Sequence, residues 1–382
     1  MTVLMNLIRR ELREVAKRKL LPGKVLVVCG ARRVGKTVLV KELIRELKSP
    51  YLYLNGEDIH THDLLAKQSA AHYRKVLGRN KLLVIDEAQK IPEIGLKLKL
   101  MLEEIADIRI LISASSVLDI NPPTGEPLTS REFSFILYPL SEKEYQQVEH
   151  PLETPDKLRE RLVYGNYPEL VRMKTDAEKQ EYLNERLSAY LLNDILVYEN
   201  IKNAGKIFNL LRLIAFQIGE QVSYHELGKQ LGISKNTVER YLELLAQVFI
   251  LHKVEGFSRN LKKEITKSAR WYFLDNGLLN AVISNFNALE ARNDAGQLWE
   301  NYMIAERLKV QEYKKMRSNN HFWKTYDQQE IDWVEERDGK LFGYDFKWSP
   351  KKFKTPPQWA KAYPEAYFEV VHPDNYFDFL DL

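Results

Sequence analysis

Three groups of residues in this 382-residue chain have types and spacings suited to chemistry. The first is Gly30-Ala31-Arg32-Arg33-Val34-Gly35-Lys36-Thr37, followed by Val38. Two glycines let the backbone curl so that successive N–H groups converge on one anion, and an ammonium and a hydroxyl follow at once. That order is a phosphate-binding loop, in which Lys36 reaches the β- and γ-phosphates of a nucleotide and Thr37 takes a position on Mg2+. ATP and Mg2+ are the expected ligands, with residues 30–38 around the nucleotide. Such a site needs a carboxylate as well, and Leu82-Leu83-Val84-Ile85-Asp86-Glu87 supplies two. Asp86, at the tip of an apolar run, is expected to hold the metal directly or through water. Glu87 is expected to polarise an attacking water, which suits hydrolysis better than transfer to a second acceptor. Ser115 or Ser116, after the run Arg109–Ile112, suits sensing of the γ-phosphate. Arg131 suits transition-state charge, within this chain or across a subunit contact, and a plain surface arginine is the equal alternative.

The second group lies near the C-terminus. Ile331-Asp332-Trp333-Val334-Glu335-Glu336 and Lys340-Leu341-Phe342-Gly343-Tyr344-Asp345-Phe346-Lys347 flank Asp338-Gly339, a strong hairpin signal. Asp345 and Lys347 are two apart on one strand and so project from one face, where Asp332 can join them. Glu300, on a preceding helix, is the candidate fourth group. Carboxylates with a lysine suit Mg2+-dependent phosphodiester hydrolysis, although acidic hairpins with a lysine also arise with a purely structural use. The third group runs from Ser223 to Leu242 and reads as two helices, capped by Ser223 and Ser234 and turned at Gly232. Lys235, Asn236 and Arg240 then face outward on the second helix, where DNA could be contacted. Glu239 and Glu243 on the same helix fit a protein contact equally well.

The elements that must position these groups follow from periodicity. Short β-branched runs at Lys24–Cys29, Tyr51–Leu54, Lys81–Ile85 and Arg109–Ser113 alternate with helical stretches, one of them Lys36–Leu47. This is the α/β pattern of a doubly wound parallel sheet. Helices fill 155–218, the helix-turn-helix and its strands follow as a winged helix, and an α/β endonuclease-like part begins after a helix at Leu298–Lys309. Three domains are expected, at 1–150, 151–285 and 286–382. Residues 4–20 carry apolar side chains at helical spacing, and the first fifty residues hold thirteen basic against four acidic side chains. The bland reading of that basic helix, an outer face packed by its apolar stripe, is preferred to a nucleic-acid or membrane contact.

Composition removes several classes. Hydrophobic residues make up 45% and charged residues 29%, which excludes wholesale disorder. With 57 basic and 53 acidic residues the net charge is +4, too mild for a general nucleic-acid wrapper. Cys29 is the single cysteine, so there is no internal disulfide. No apolar run is long enough for a membrane span, and the N-terminus lacks the uninterrupted apolar stretch of a signal peptide. A cytoplasmic protein without membrane contact is expected.

The runs G-A-R-R-V-G-K-T, L-V-I-D-E-A-Q-K-I-P, I-S-A-S-S-V-L and L-T-S-R-E-F-S-F-I-L-Y-P-L-S resemble a large prokaryotic family of AAA+-like ATPases with a C-terminal domain of unassigned function. Tyr164 to Glu169, Asn193 to Leu196 and Tyr272 to Gly277 carry the resemblance over nearly the whole chain. Ala114 and Ser130 depart from it, standing where the family has glycine. The acidic hairpin is similar to the restriction-endonuclease core. Together these imply an Mg2+-dependent ATPase that couples nucleotide state to a winged-helix and nuclease-like region, with DNA, a protein partner or a homo-oligomer as its context. The alternatives are a nonhydrolysing nucleotide-dependent scaffold and an ATP-regulated metal-dependent nuclease.

Overall fold

The computed structural model describes residues 8–116, 131–189, 204–257, 269–325, 327–349 and 354–382. The signature Asn193 to Leu196 and Ser130 lie outside them. The chain divides into two compact units, Met1–Leu140 and Ser141–Leu382.

In the first unit, α1 (Leu12–Lys19) precedes β1 (Lys24–Cys29), α2 (Lys36–Leu47), β2 (Tyr51–Asn55), α3 (Ile59–Leu65), α4 (Ala70–Leu77), β3 (Leu82–Asp86), α5 (Ile94–Glu104), β4 (Arg109–Ala114) and β5 (Glu132–Ile136). The five strands are parallel in the order β2-β3-β4-β1-β5. Val25 to Cys29 and Leu82 to Ile85 are buried almost completely, as strands covered by helices on both faces must be. This is the α/β parallel sheet read from the sequence. Leu39, Val40, Leu43 and Ile44 are the buried stripe of α2. Leu12 and Ala16 bury α1 against α2 and β5, so the basic N-terminal helix is a packed element, with Lys17, Arg18 and Lys19 exposed. Parallel winding has one consequence for chemistry: the C-terminal tips of β1, β4 and β3 stand side by side, with β4 in the middle.

In the second unit, α6 (Glu142–Tyr145), α7 (Thr154–Tyr164), α8 (Asp176–Ala189), α9 (Ala204–Ala215), α10 (Tyr224–Leu231) and α11 (Lys235–Gln247) lead to β6 (Leu251–Gly256) and β7 (Arg270–Phe273). Then come α12 (Asn276–Ile283), α13 (Ala295–Lys314), β8 (Asn319–Lys324), β9 (Glu330–Arg337), β10 (Lys340–Phe346), α14 (Pro357–Ala362), β11 (Tyr367–Val371) and α15 (Tyr376–Leu380). The six strands form one mixed sheet, β11-β10-β9-β8-β6-β7. Asp338 and Gly339 turn β9 into β10 with φ of 49° and 76°, the two positive values that a two-residue hairpin demands. Ser223 and Ser234 cap α10 and α11 by accepting from Glu226 N and Thr237 N. After the two helices, β6 pairs antiparallel with β7 from Leu251 to Val254. β6 pairs in parallel with β8 at Glu255 and Gly256, so the sheet runs across residue 285 and both regions share one unit. Trp359 is fully buried and packs a core with Phe257, Trp323 and Ile331.

The family-like segments around Tyr164 and Tyr272 meet in this second unit. Asp275 caps α12 through Leu278 N at 3.1 Å and also accepts from Asn166 N at 2.7 Å. Asn276 and Asn280 donate to the otherwise orphaned carbonyls at the end of α7, Leu162 O and Val163 O. A Cβ at Gly277 would lie 2.1 Å from Tyr164 O. These residues form a joint between two helices.

Candidate nucleotide-binding site

The loop from Gly30 to Gly35 leaves the tip of β1 and enters α2. Gly30 has φ 152°, and a Cβ there would lie 2.2 Å from Leu137 O, so only glycine lets the two backbones pass. Gly35 has φ 99° and Arg33 φ 65°, the left-handed positions that curl the loop. Ala31 and Val34 are buried beneath it, Arg32 is half-buried, and Arg33 and Val38 are exposed. Lys36 is 5% exposed and folds back over the loop: Nζ donates to Gly30 O and Ala31 O at 2.9 Å and to Ser115 Oγ at 3.0 Å. Burial pulls its ammonium below the usual lysine range, opposed by Glu87, 4.0 Å away, and by Cys29 and Asp86.

Asp86 ends β3 in the buried run Leu82–Asp86. One carboxylate oxygen accepts from Thr37 Oγ1 at 2.8 Å and Tyr53 OH at 3.0 Å, and the other accepts from Ser113 Oγ. Burial first, then the charge and hydrogen bond of Asp86, pushes the Tyr53 hydroxyl upward, so it stays a donor. Glu87 sits one residue beyond the strand at φ 51°. Its carboxylate accepts from Ser115 Oγ at 2.9 and 3.1 Å and from Gln89 Nε2 at 2.7 Å. Sheet order explains the meeting: the tip of β4 lies between β1 and β3, so Ser113 and Ser115 bridge the loop to the carboxylates.

The structure thus brings together residues 30–38, Asp86, Glu87 and Ser115. Arg131 stands apart. Its backbone oxygen accepts from Val25 N at the start of β1, and Nη1 donates to Leu102 O at 3.1 Å. From Val25 to Gly30 is five strand residues, roughly 16 Å at about 3.3 Å each. A role for Arg131 within its own chain's site is therefore corrected, because parallel strands put the start of β5 at the opposite edge of the sheet. Four residues around the site were not singled out from the sequence. Ser113, Tyr53 and Gln89 bind the two carboxylates, and Arg10 is buried under the loop. Arg10 donates to Val34 O at 2.5 Å and Tyr138 O at 2.6 Å. A polar Ser113 inside an apolar strand was a readable signal; Arg10, in a run of charges, carried none.

The C-terminal residues also converge. Lys347 Nζ lies 3.3 Å from Asp332 Oδ2, Phe346 N donates to the same oxygen at 3.0 Å, and Asp332 N donates to Asp345 Oδ1 at 3.2 Å. Glu300 accepts from Tyr272 OH at 2.7 Å. Into this group reaches Arg270, 1% exposed, with Nη1 3.5 Å from Asp332 and 3.8 Å from Glu300, and Nη2 2.8 Å from Glu330. Burial, then Asp332, raises the Glu300 carboxyl to about 8 and the Asp345 carboxyl to about 7. Among the described residues no group of three or more His, Cys, Asp or Glu side chains is placed to hold a metal ion. The metal expected here does not fit this arrangement: a guanidinium already supplies the positive charge, and the two aspartates carry the backbone bonds where the β9–β10 ladder stops at Tyr344 and Trp333. Lys235, Asn236 and Arg240 are exposed on α11, and the Arg240 guanidinium lies 5.7 Å from the centre of the Tyr241 ring.

Comparison with known proteins agrees with the first unit. Residues 22–146 match the AAA domain, 155–289 a domain of unknown function (DUF8612) and 295–373 another (DUF4143). An uncharacterized protein of Mycobacterium tuberculosis is 23% identical over 342 residues, covering 89% of this chain and 74% of that one. The replication factor C large subunit of Pyrobaculum aerophilum is 30% identical over 141 residues, covering 33% of this chain and 31% of that one. A mutant Thermotoga maritima RuvB is 20% identical, covering 63% of this chain and 86% of that one with a TM-score of 0.31. No helix among the described residues is long and apolar enough to cross a membrane. The AAA domain at one end and the DUF4143 domain at the other support a prokaryotic AAA-like P-loop ATPase family for this chain.

Proposed function

We propose that the chain binds ATP with Mg2+ at the loop between β1 and α2 and hydrolyses it. One observation carries this reading: at adjacent strand tips Thr37 is hydrogen-bonded to Asp86, and Ser115 is hydrogen-bonded to both Lys36 and Glu87. The amides of residues 30–37 and the N-terminus of α2 receive the phosphates. Lys36 exchanges its loop carbonyls for phosphate oxygens. Asp86 accepts from three hydroxyls, one of them Thr37 Oγ1, and Thr37 Oγ1 and Asp86 together fit the oxygen-donor set that Mg2+ takes. Bound there, Mg2+ neutralises charge on the triphosphate. Glu87 accepts the proton of the attacking water, and Ser115 stands where it can sense the γ-phosphate.

Lys36→Ala is expected to lose ATP affinity by about a hundredfold in titration calorimetry, whereas Glu87→Gln retains affinity and loses turnover by about two orders of magnitude. Turnover persisting undiminished in both variants overturns the reading, and a wild type that binds ATP without turning it over favours the scaffold alternative. A second reading, contact with DNA, is favoured by the exposed Lys235, Asn236 and Arg240 at the start of α11. Turnover measured with and without duplex DNA, for wild type and Arg240→Glu, tests it. A salt-insensitive rate that ignores both DNA and the substitution removes it.

A further inference from the structure

We propose that Gln89 is a positioning residue for Glu87. The inference rests on the reading of this site as an ATPase and concerns what orients its base.

Glu87 is held at three points. Its backbone adopts φ 51°, uncommon for a residue with a side chain, and its N–H donates to Ser113 Oγ at 3.1 Å. Its carboxylate is gripped by Ser115 and by Gln89 Nε2, the latter at 2.7 Å. The two grips differ. Ser115 also accepts from Lys36 at 3.0 Å, so its hydroxyl is shared with the phosphate side of the site and is drawn upon when Lys36 moves to a phosphate. Gln89 has no such second duty: its Oε1 is buried without a hydrogen-bond partner, and the side chain, 7% exposed, is engaged through Glu87. A buried carbonyl without a partner is a cost to folding, which a residue selected for packing alone would avoid.

The chemistry of the donor matters. A lysine or arginine at this place would hold the carboxylate but neutralise it and lower its affinity for a proton. A neutral amide fixes the rotamer without adding a charge of its own. A carboxylate has about four acceptor positions, and Ser115 and Gln89 use only part of them, so a position remains for water. This is the arrangement of a base oriented by a third group. The turn Ala88–Lys90 directly after Glu87 fixes the amide, since Lys90 N bonds back to Glu87 O at 3.0 Å.

Three variants of the full chain test the assignment. Gln89→Met keeps shape and burial but removes the donor; kcat is expected to fall about tenfold with KM for ATP unchanged. Gln89→Glu keeps the shape but replaces the donor by an acceptor facing Glu87; its kcat is expected to fall at least as far, with calorimetric ATP affinity unchanged. Glu87→Gln serves as the control. If wild type hydrolyses ATP and Glu87→Gln does not, while Gln89→Met or Gln89→Glu keeps wild-type kcat, the role of Gln89 is overturned and the ATPase reading stands. If wild type shows no turnover, the ATPase reading fails first. Should Gln89→Met not fold, the kcat of the isosteric Gln89→Glu decides alone.

Discussion

Arg10 offers the sharpest test of how the phosphate loop is held. Its guanidinium is 5% exposed and donates to two backbone oxygens, Val34 O inside the loop and Tyr138 O beyond β5. Hydrogen bonds from a charged donor contribute about 1.5–3 kcal/mol each, and truncation leaves both carbonyls without that partner. Against this stands the desolvation of the guanidinium, which the variant no longer bears. A net loss of about 3 kcal/mol follows for Arg10→Ala. At about 2–4 °C per kcal/mol for a unit of this size, the thermal midpoint of the first unit should fall by roughly 6–12 °C in scanning calorimetry. Arg10→Lys should fall in between, because a single ammonium lacks the fork that spans both oxygens. ATP affinity should drop alongside, since Val34 and Gly35 lose their support. A midpoint within a degree of wild type together with unchanged ATP affinity would refute the reasoning and leave Arg10 a bystander.

Tyr53→Phe removes one of the three hydroxyls on Asp86, and denaturant unfolding should show about 1 kcal/mol less stability; an unchanged midpoint says that this bond contributes nothing. Glu300 and Asp345, raised to about 8 and about 7, bind protons in the folded state at pH values where unfolded carboxylates have lost them. The second unit should therefore be most stable below about pH 4 as far as these two groups are concerned, and lose that contribution as pH rises toward 8. Glu300→Gln should flatten this slope, and a melting temperature in which variant and wild type vary identically with pH counts against it. Because Arg270 already occupies the carboxylate cluster, EDTA or added Mg2+ should leave the melting of the second unit in place; a metal-dependent shift abolished by Asp332→Asn would restore the metal site.

The positions of β1, α2 and the β9–β10 hairpin were legible from sequence because each is encoded locally. β-Branched runs, a helical stripe from Leu39 to Ile44, and Asp338-Gly339 all act over a few residues. The two serine caps around Gly232 were legible for the same reason. The pattern from Gly30 to Thr37 and the pair Asp86-Glu87 declared a triphosphate chemistry, since loop curvature, an ammonium, a hydroxyl and carboxylates at a strand tip each have a local cause. What spacing along the chain does not carry is the order of strands. Only the parallel order β2-β3-β4-β1-β5 sets Ser113 and Ser115 between loop and carboxylates, brings Tyr53 to Asp86 and sends Arg131 to the far edge. Likewise only packing showed that Arg10 turns inward, that Arg270 stands among the C-terminal carboxylates, and that β6 joins β8. These are contacts between residues tens to more than a hundred positions apart, decided by which faces must be buried together rather than by any local preference.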